Sequence, residues 1–323
     1  MIVSQCSLNA LRHQLRWGGV CIRTGPFLCR IQSPLPEIAR ALADSYAHFP
    51  VIPEAPFADI HLRVLPGRGL RRWIRPQVFC QCDTEVPFNP HPRRLAPAML
   101  EWGLNWAVAN LAHWYLMIHA AVLERGGRCL VLSALAESGK STLCAALALR
   151  GWRVFSDEIA LIRLPDSQLV PLARPICLKG ASIELIRQRD CEGLVGPTWP
   201  DPVRGGIALV RPRRETVAGM ETPAPVGWVV FPKFEPGCPT QFSPLPKALA
   251  FLRLADNSFN YSLLGTTGFQ TLAALLDQAQ GCYKFRYSKL DEAVLWFERL
   301  MDRPPECSAS VSSSEWPEMS EPS

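Results

Sequence analysis

The stretch Arg128-Cys129-Leu130-Val131-Leu132-Ser133 leads into Ala134-Leu135-Ala136-Glu137-Ser138-Gly139-Lys140-Ser141-Thr142, and then into Leu143-Cys144-Ala145-Ala146-Leu147-Ala148-Leu149. The first six residues are largely apolar and rich in strand formers. The last seven are strong helix formers. Strand, tight loop and helix form the context in which Gly139-Lys140-Ser141-Thr142 reads as a phosphate-binding loop. The backbone N–H groups of such a loop, with the positive end of the helix, cradle phosphate oxygens. On this reading Glu137, Ser138, Gly139, Lys140, Ser141 and Thr142 bind nucleotide. Lys140 neutralises the outer phosphates, and the Ser141 hydroxyl holds Mg²⁺. Two positions depart from the pattern. Ala134 stands where such loops carry Gly. Glu137 fills a position that often needs positive φ, which costs a non-glycine residue about 1 kcal/mol or more. The alternative is an ordinary helix start capped by Ser138.

Working outward, Asp157 and Glu158 lie seventeen and eighteen residues after Lys140. One helix (141–149), Gly151 as its stop, and one short strand (152–155) fill the interval. That path returns the chain beside the loop strand. The two carboxylates then fall at a strand's C-terminal end, where open α/β sheets bind ligands. Adjacent residues of a regular strand face opposite ways, so both reach one site only if the strand ends or bends there. Their flanks, Val154-Phe155 and Ile159-Ala160-Leu161-Ile162, are apolar. Acidic groups in such a setting are expensive unless used or paired. Upstream, residues 116–123 read as a strand carrying His119, and 124–127 as the turn into the loop strand.

The rest of the chain reads as mixed α and β. Hairpins are expected at 18–31, 73–86 and 159–172, and strands at 60–64, 205–210, 226–231 and 283–287. Helices are expected at 36–46, 94–114, 245–254, 269–280 and 290–301. The longest apolar stretch, 106–123, is broken by Asn110, His113 and His119; it reads as a buried helix running into a strand rather than a membrane span. Residues 303–323, rich in Ser, Pro and Glu, read as a disordered tail.

Bulk properties set limits. At 323 residues the chain can bury a large core. Hydrophobic residues make up 48% and charged residues 20%, which indicates a globular protein. The net charge of +5 suits anionic ligands, but there is no lysine-rich run, and Arg211-Pro212-Arg213-Arg214 reads as a solvated loop. Nucleic acid is therefore not an expected partner. The 12 cysteines include no Cys-x-x-Cys, and Cys80 and Cys82, alternate residues on a strand, read as packed thiols. Residues 1–17 lack the apolar core of a secretory signal. Free thiols fit a reducing, cytoplasmic setting.

His119 on its strand, the loop ending Gly139-Lys140-Ser141-Thr142-Leu143, and Gly151-Trp152-Arg153-Val154-Phe155-Ser156-Asp157-Glu158 together resemble the catalytic domain of HPr kinase/phosphorylase. The nearer resemblance is to the HprK-related kinase A family. Leu178-Lys179, Arg204-Gly205-Gly206-Ile207-Ala208 and Ser258-Phe259-Asn260-Tyr261 follow in the order that family shows. The resemblance covers about residues 116–300. It implies an α/β fold: a P-loop on a mixed β-sheet, in a core like the nucleotide-binding part of phosphoenolpyruvate carboxykinase. That domain would span 116–302, after an N-terminal α+β region (1–115). The resemblance implies ATP and Mg²⁺, with a hydroxyl of a protein or small molecule as acceptor. It makes Asp157 the general base, His119 its assistant in proton movement, Lys140 a phosphate contact, and Ser141 and Glu158 the metal ligands. Lys179 and Arg204 become basic contacts to phosphate or acceptor. A small PqqD-like peptide-binding protein is an implied partner, and a homo-oligomer an implied assembly. Arg204 replaces a lysine of the family, and the two are not equivalent donors. Three functions stay open: a kinase, a nucleotide-binding regulatory module without transfer, and an ATPase acting on a partner.

Overall fold

The structure is a computed structural model and describes residues 1–53, 55–67, 69, 74–135 and 138–301. Leu8, Leu11 and Leu15 recur at helical spacing, and α1 (Leu8–Trp17) starts where the Ser7 hydroxyl accepts the Ala10 N–H at 3.2 Å. Strands β1 (Val20–Thr24) and β2 (Phe27–Gln32) form the expected hairpin. Helix α2 (Pro36–Ser45) crosses over to β3 (Ile60–Pro66), which pairs parallel with β2. β4 (Gln77–Cys82) pairs antiparallel with β3 and then with β5 (His91–Pro92), completing a five-stranded sheet. The hairpin expected at 73–86 is thus corrected. β4 is one strand paired with β3 and β5, and the chain turns back after it just far enough for Glu85 to exchange backbone hydrogen bonds with Cys82; Trp73 lies outside the described residues. Cys80 and Cys82 are packed thiols, both buried, with sulfurs 3.9 Å apart. Helix α3 (Ala96–Leu111) covers this sheet. It is buried over most of its first three turns rather than along one face, and its buried Glu101 accepts the Tyr46 hydroxyl at 2.6 Å.

The chain then enters a larger mixed sheet. β6 (Tyr115–Arg125) and β7 (Arg128–Ser133) are joined by Gly126 and Gly127, both at positive φ, as a two-residue hairpin turn requires. After α4 (Lys140–Leu149) come β8 (Arg153–Ser156), β9 (Ile159–Arg163) and β10 (Leu169–Val170). A ribbon of β11 (Ile176–Lys179) and β12 (Ile207–Val210) follows, with α5 (Ala181–Arg187) between its strands. The remainder is α6 (Arg214–Ala218), β13 (Val226–Phe234), β14 (Gln241–Pro244), α7 (Lys247–Asp256), α8 (Tyr261–Gln278), β15 (Gly281–Tyr287) and α9 (Leu290–Met301). The sheet runs β10-β9-β6-β7-β13-β15-β14, with β8 also on β6. β7 is parallel to β13, and β13 to β15.

One expectation needs correction. β8 pairs with β6, not with the loop strand β7, and β6 separates the two. The hairpin turn at Gly126-Gly127 makes β6 the immediate neighbour of β7, and β13 takes its other edge. Because β6 is antiparallel to both β7 and β8, those two strands still end on the same side of the sheet.

Alternation along β6 explains the layering. Ile118, Ala120 and Val122 join a core with Leu254, Leu272 and Leu275 of α7 and α8. Ala121 and Leu123 join one with Leu143, Leu147 and Phe297 of α4 and α9. A sheet covered on both faces needs the near-continuous apolar runs seen in β6 and β7. Met117, Ile159 and Leu161 belong instead to the core of the N-terminal sheet, so the two sheets share packing. No described helix is long and apolar enough to cross a membrane. The tail at 303–323 lies outside the described residues.

Candidate functional site

The loop sits over the C-terminal ends of the parallel strands. Phe234, the last residue of β13, donates its N–H to the Ser138 carbonyl at 2.9 Å. Tyr287, the last residue of β15, donates its hydroxyl to the Gly139 carbonyl at 3.3 Å. Gly139 is left-handed, with φ +85°. A Cβ there would stand 2.6 Å from the Tyr287 hydroxyl and 3.0 Å from Phe234 Cβ, so both backbone and space demand glycine. Gly139 is also the N-cap of α4, and no side chain caps that helix. The capped-start alternative therefore fails on Ser138, whose buried hydroxyl has no partner among the described residues. The first-turn N–H groups at Lys140, Ser141 and Thr142 have no partner within a helix by construction. An uncapped helix start, a left-handed glycine and an orphaned hydroxyl fit an anionic ligand such as phosphate. Ser141 and Thr142 are half-buried in that first turn. Glu137 lies outside the described residues.

Behind the loop the structure brings Lys140, His119, Asp157 and Glu158 together. β8 stops at Ser156 and β9 starts at Ile159, so the acidic pair forms a break between two strands that both lie along β6. The Ser156 hydroxyl accepts the N–H groups of Glu158 (3.2 Å) and Ile159 (2.9 Å), which holds the bend. The bend is what lets both acidic residues reach one site. Lys140 is only 6% exposed; its ammonium donates to the Asp157 carbonyl oxygen at 2.7 Å and stands 3.8 Å from the Glu158 carboxylate. His119 Nε2 lies 3.0 Å from Glu158 Oε2 and 3.2 Å from Lys140 Nζ. One ring nitrogen cannot donate to the carboxylate and accept from the ammonium at once. The carboxylate oxygen needs a donor, so Nε2–H faces Glu158, and Lys140 packs beside it.

The two carboxyls are driven apart. Burial, and then the neighbouring Glu158 charge, raise Asp157 to about 7, against the pull of Lys140, the Cys177 amide and Arg174. Its Oδ2 accepts that amide at 3.1 Å. Burial also acts to raise Glu158, but the His119 hydrogen bond and the charges of Lys140 and Lys179 outweigh it and hold the group below the usual carboxylate range. Two carboxyls pushed in opposite directions in one site can divide acid and base roles between them.

His119 is braced by a residue that the sequence reading did not single out. Asn257, just after α7, accepts the His119 N–H through its carbonyl at 2.8 Å. Its side-chain amide donates to the His119 carbonyl (2.8 Å) and the Ser133 hydroxyl (3.0 Å). The adjoining Ser258-Phe259-Asn260 continues the same job. Ser258 donates to the Met117 carbonyl at 2.7 Å, and Asn260 accepts the Met117 N–H at 2.9 Å and donates to the Tyr115 carbonyl at 2.8 Å. Residues 115–119 of β6 project past β7, and this segment satisfies the edge left open there. A clue was present in the sequence: small polar residues after a helix, opposite an apolar strand.

Lys179 ends β11, exposed, and its charge reaches Glu158. The Arg204 guanidinium is engaged elsewhere: it pairs with Asp201 at 3.1 Å and lies over the Trp102 ring. For a metal, no group of three or more His, Cys, Asp or Glu side chains is gathered among the described residues. Mg²⁺ bound with phosphates and water needs only one or two protein ligands, so Ser141 and Glu158 suffice in number. Neither known family models nor curated proteins give a match to this chain.

Proposed function

We propose that this protein is an HPr-kinase-like phosphotransferase, with a P-loop on a mixed sheet like the nucleotide core of phosphoenolpyruvate carboxykinase. It would move the γ-phosphoryl group of ATP to a hydroxyl. The observation that carries this reading is the joining of an uncapped helix start, with its orphaned Ser138 hydroxyl, to the buried Lys140–His119–Glu158–Asp157 cluster. Ser138, Gly139 and the first turn of α4 bind phosphate oxygens. Lys140 leaves the Asp157 carbonyl to meet phosphate. Asp157, poised at about 7, takes the acceptor's proton at its carboxylate, since a base works best near the ambient pH. His119 orients Glu158 and moves protons at its edge. Ser141 and Glu158 would hold Mg²⁺, which supplies charge neutralisation of the phosphates. Lys179 stands at the rim for an anionic part of the acceptor. A PqqD-like carrier presenting a peptide hydroxyl is one acceptor this reading accommodates.

A second reading, a nucleotide-binding module without transfer, is favoured by one feature: the Lys140 ammonium is already engaged by the Asp157 carbonyl and the Glu158 carboxylate. Transfer of ³²P from γ-labelled ATP into a lysate fraction or peptide pool separates the two. The first reading expects transfer that Asp157→Asn abolishes while ATP binding persists. Transfer that survives Asp157→Asn would refute the base; binding without any transfer would favour the module.

A further inference from the structure

At the C-terminal end of α4, away from the loop, a cavity of about 10 Å³ lies between Trp152, Arg174, Arg211, Arg213 and Thr216, with apolar walls elsewhere and no carboxylate in its lining. Each guanidinium is anchored by a terminal nitrogen. Arg174 Nη2 donates to Asn105 Oδ1. Arg213 Nη2 donates to the Leu149 carbonyl at 2.8 Å and to Glu192 at 2.6 Å. Arg211 reaches the Asp44 carbonyl at 3.4 Å and the Gly193 carbonyl at 3.5 Å. What remains is a set of buried donors, Arg174 Nε and Nη1, Arg211 Nε, Arg213 Nε and Trp152 Nε1, with no acceptor among the described residues. Arg174 is 6% exposed and Trp152 1%. Unpaired buried N–H groups are costly and rare, and here the residues that carry them all line one cavity.

We infer that Arg174, Arg211, Arg213 and Trp152 enclose a binding site for a compact inorganic anion of chloride size. A water molecule has two lone pairs, too few for this donor set. A spherical anion accepts from every direction. The cavity has room for about one water-sized occupant, which fits a halide and excludes a phosphate ester.

The test is thermal unfolding of the full chain in chloride, bromide or sulfate, with gluconate holding ionic strength constant. Wild type should show a saturable rise in Tm of roughly 3 °C with chloride and bromide. Arg174→Met should abolish the rise. Trp152→Phe, which removes one donor and keeps the packing, should weaken it, and it decides the matter if Arg174→Met does not fold. Lys140→Ala should keep the rise, which separates this cavity from the loop. No rise in wild type, a rise undiminished in both cavity variants, a rise lost in Lys140→Ala, or a rise with sulfate alone would each overturn the assignment.

Discussion

Asp157→Asn should stabilise the protein at alkaline pH while removing its proposed base. The carboxyl is 6% exposed and rises from an ordinary 3.8 to about 7 in the fold. Each pH unit of that rise is worth about 1.4 kcal/mol, so ionised Asp157 costs the folded state about 4 kcal/mol, an upper figure because Asp157 and Glu158 share their field. The sign follows from which state holds the proton. Below pH 3.8 the carboxyl is protonated folded or unfolded, and there is no penalty. Between 3.8 and about 7 the unfolded chain releases the proton first, so stability falls as pH rises. Above about 7 the whole cost is present. Asparagine carries no charge and can still accept the Cys177 amide, so the gain should be about 2–4 kcal/mol at pH 8 and vanish near pH 4. Glu158 is present in both proteins, so its opposite dependence cancels in the difference to first order. Urea unfolding at pH 8, 6 and 4.5 measures this. A variant less stable than wild type at pH 8, or a gain equal at all three pH values, would refute the buried-charge reasoning.

Gly139→Ala should cost about 1–3 kcal/mol, from the left-handed φ and the 2.6 Å approach to the Tyr287 hydroxyl. Tyr287→Phe should recover the steric part, and additive costs in a double-mutant cycle would contradict that contact. Asn257→Ala removes the donor to the His119 carbonyl and Ser133, so it should lower stability by about 1–3 kcal/mol and slow transfer without weakening ATP binding. Unchanged stability by urea unfolding would show that the brace is dispensable.

The segments nearest the site were legible because their signals are local. The loop strand, its helix and the strand beyond were expected at 128–132, 141–149 and 152–155; the structure has Arg128–Ser133, Lys140–Leu149 and Arg153–Ser156. Apolar runs, a glycine stop and a Gly-Lys-Ser-Thr loop need no distant partner to be read. Pairing is nonlocal, and that is where reading stopped. Nothing near β8 says that it chooses β6 over β7. α8 was expected only from residue 269, because Gly265, at φ +54°, interrupts the helical pattern and hides the first turns. α1 went unread although Leu8, Leu11 and Leu15 carry its period. Within the candidate site, His119 and Lys140 sit on patterned elements and Asp157-Glu158 stands out between two apolar strands; the structure brings the four residues together. Asn257 was missed because a lone Asn after a helix looks like an ordinary stop. Arg204, a basic contact to phosphate or acceptor by the resemblance, pairs in the structure with Asp201, three residues earlier.

Titration calorimetry with Mg²⁺–ATP on wild type, Lys140→Ala and Ser138→Ala tests the central claim most directly. Wild type should bind one nucleotide per chain, Ser138→Ala should bind more weakly, and Lys140→Ala should lose most of the affinity. A wild type that does not bind, or a Lys140→Ala variant that binds equally well, would contradict the phosphate-binding loop and the function built on it.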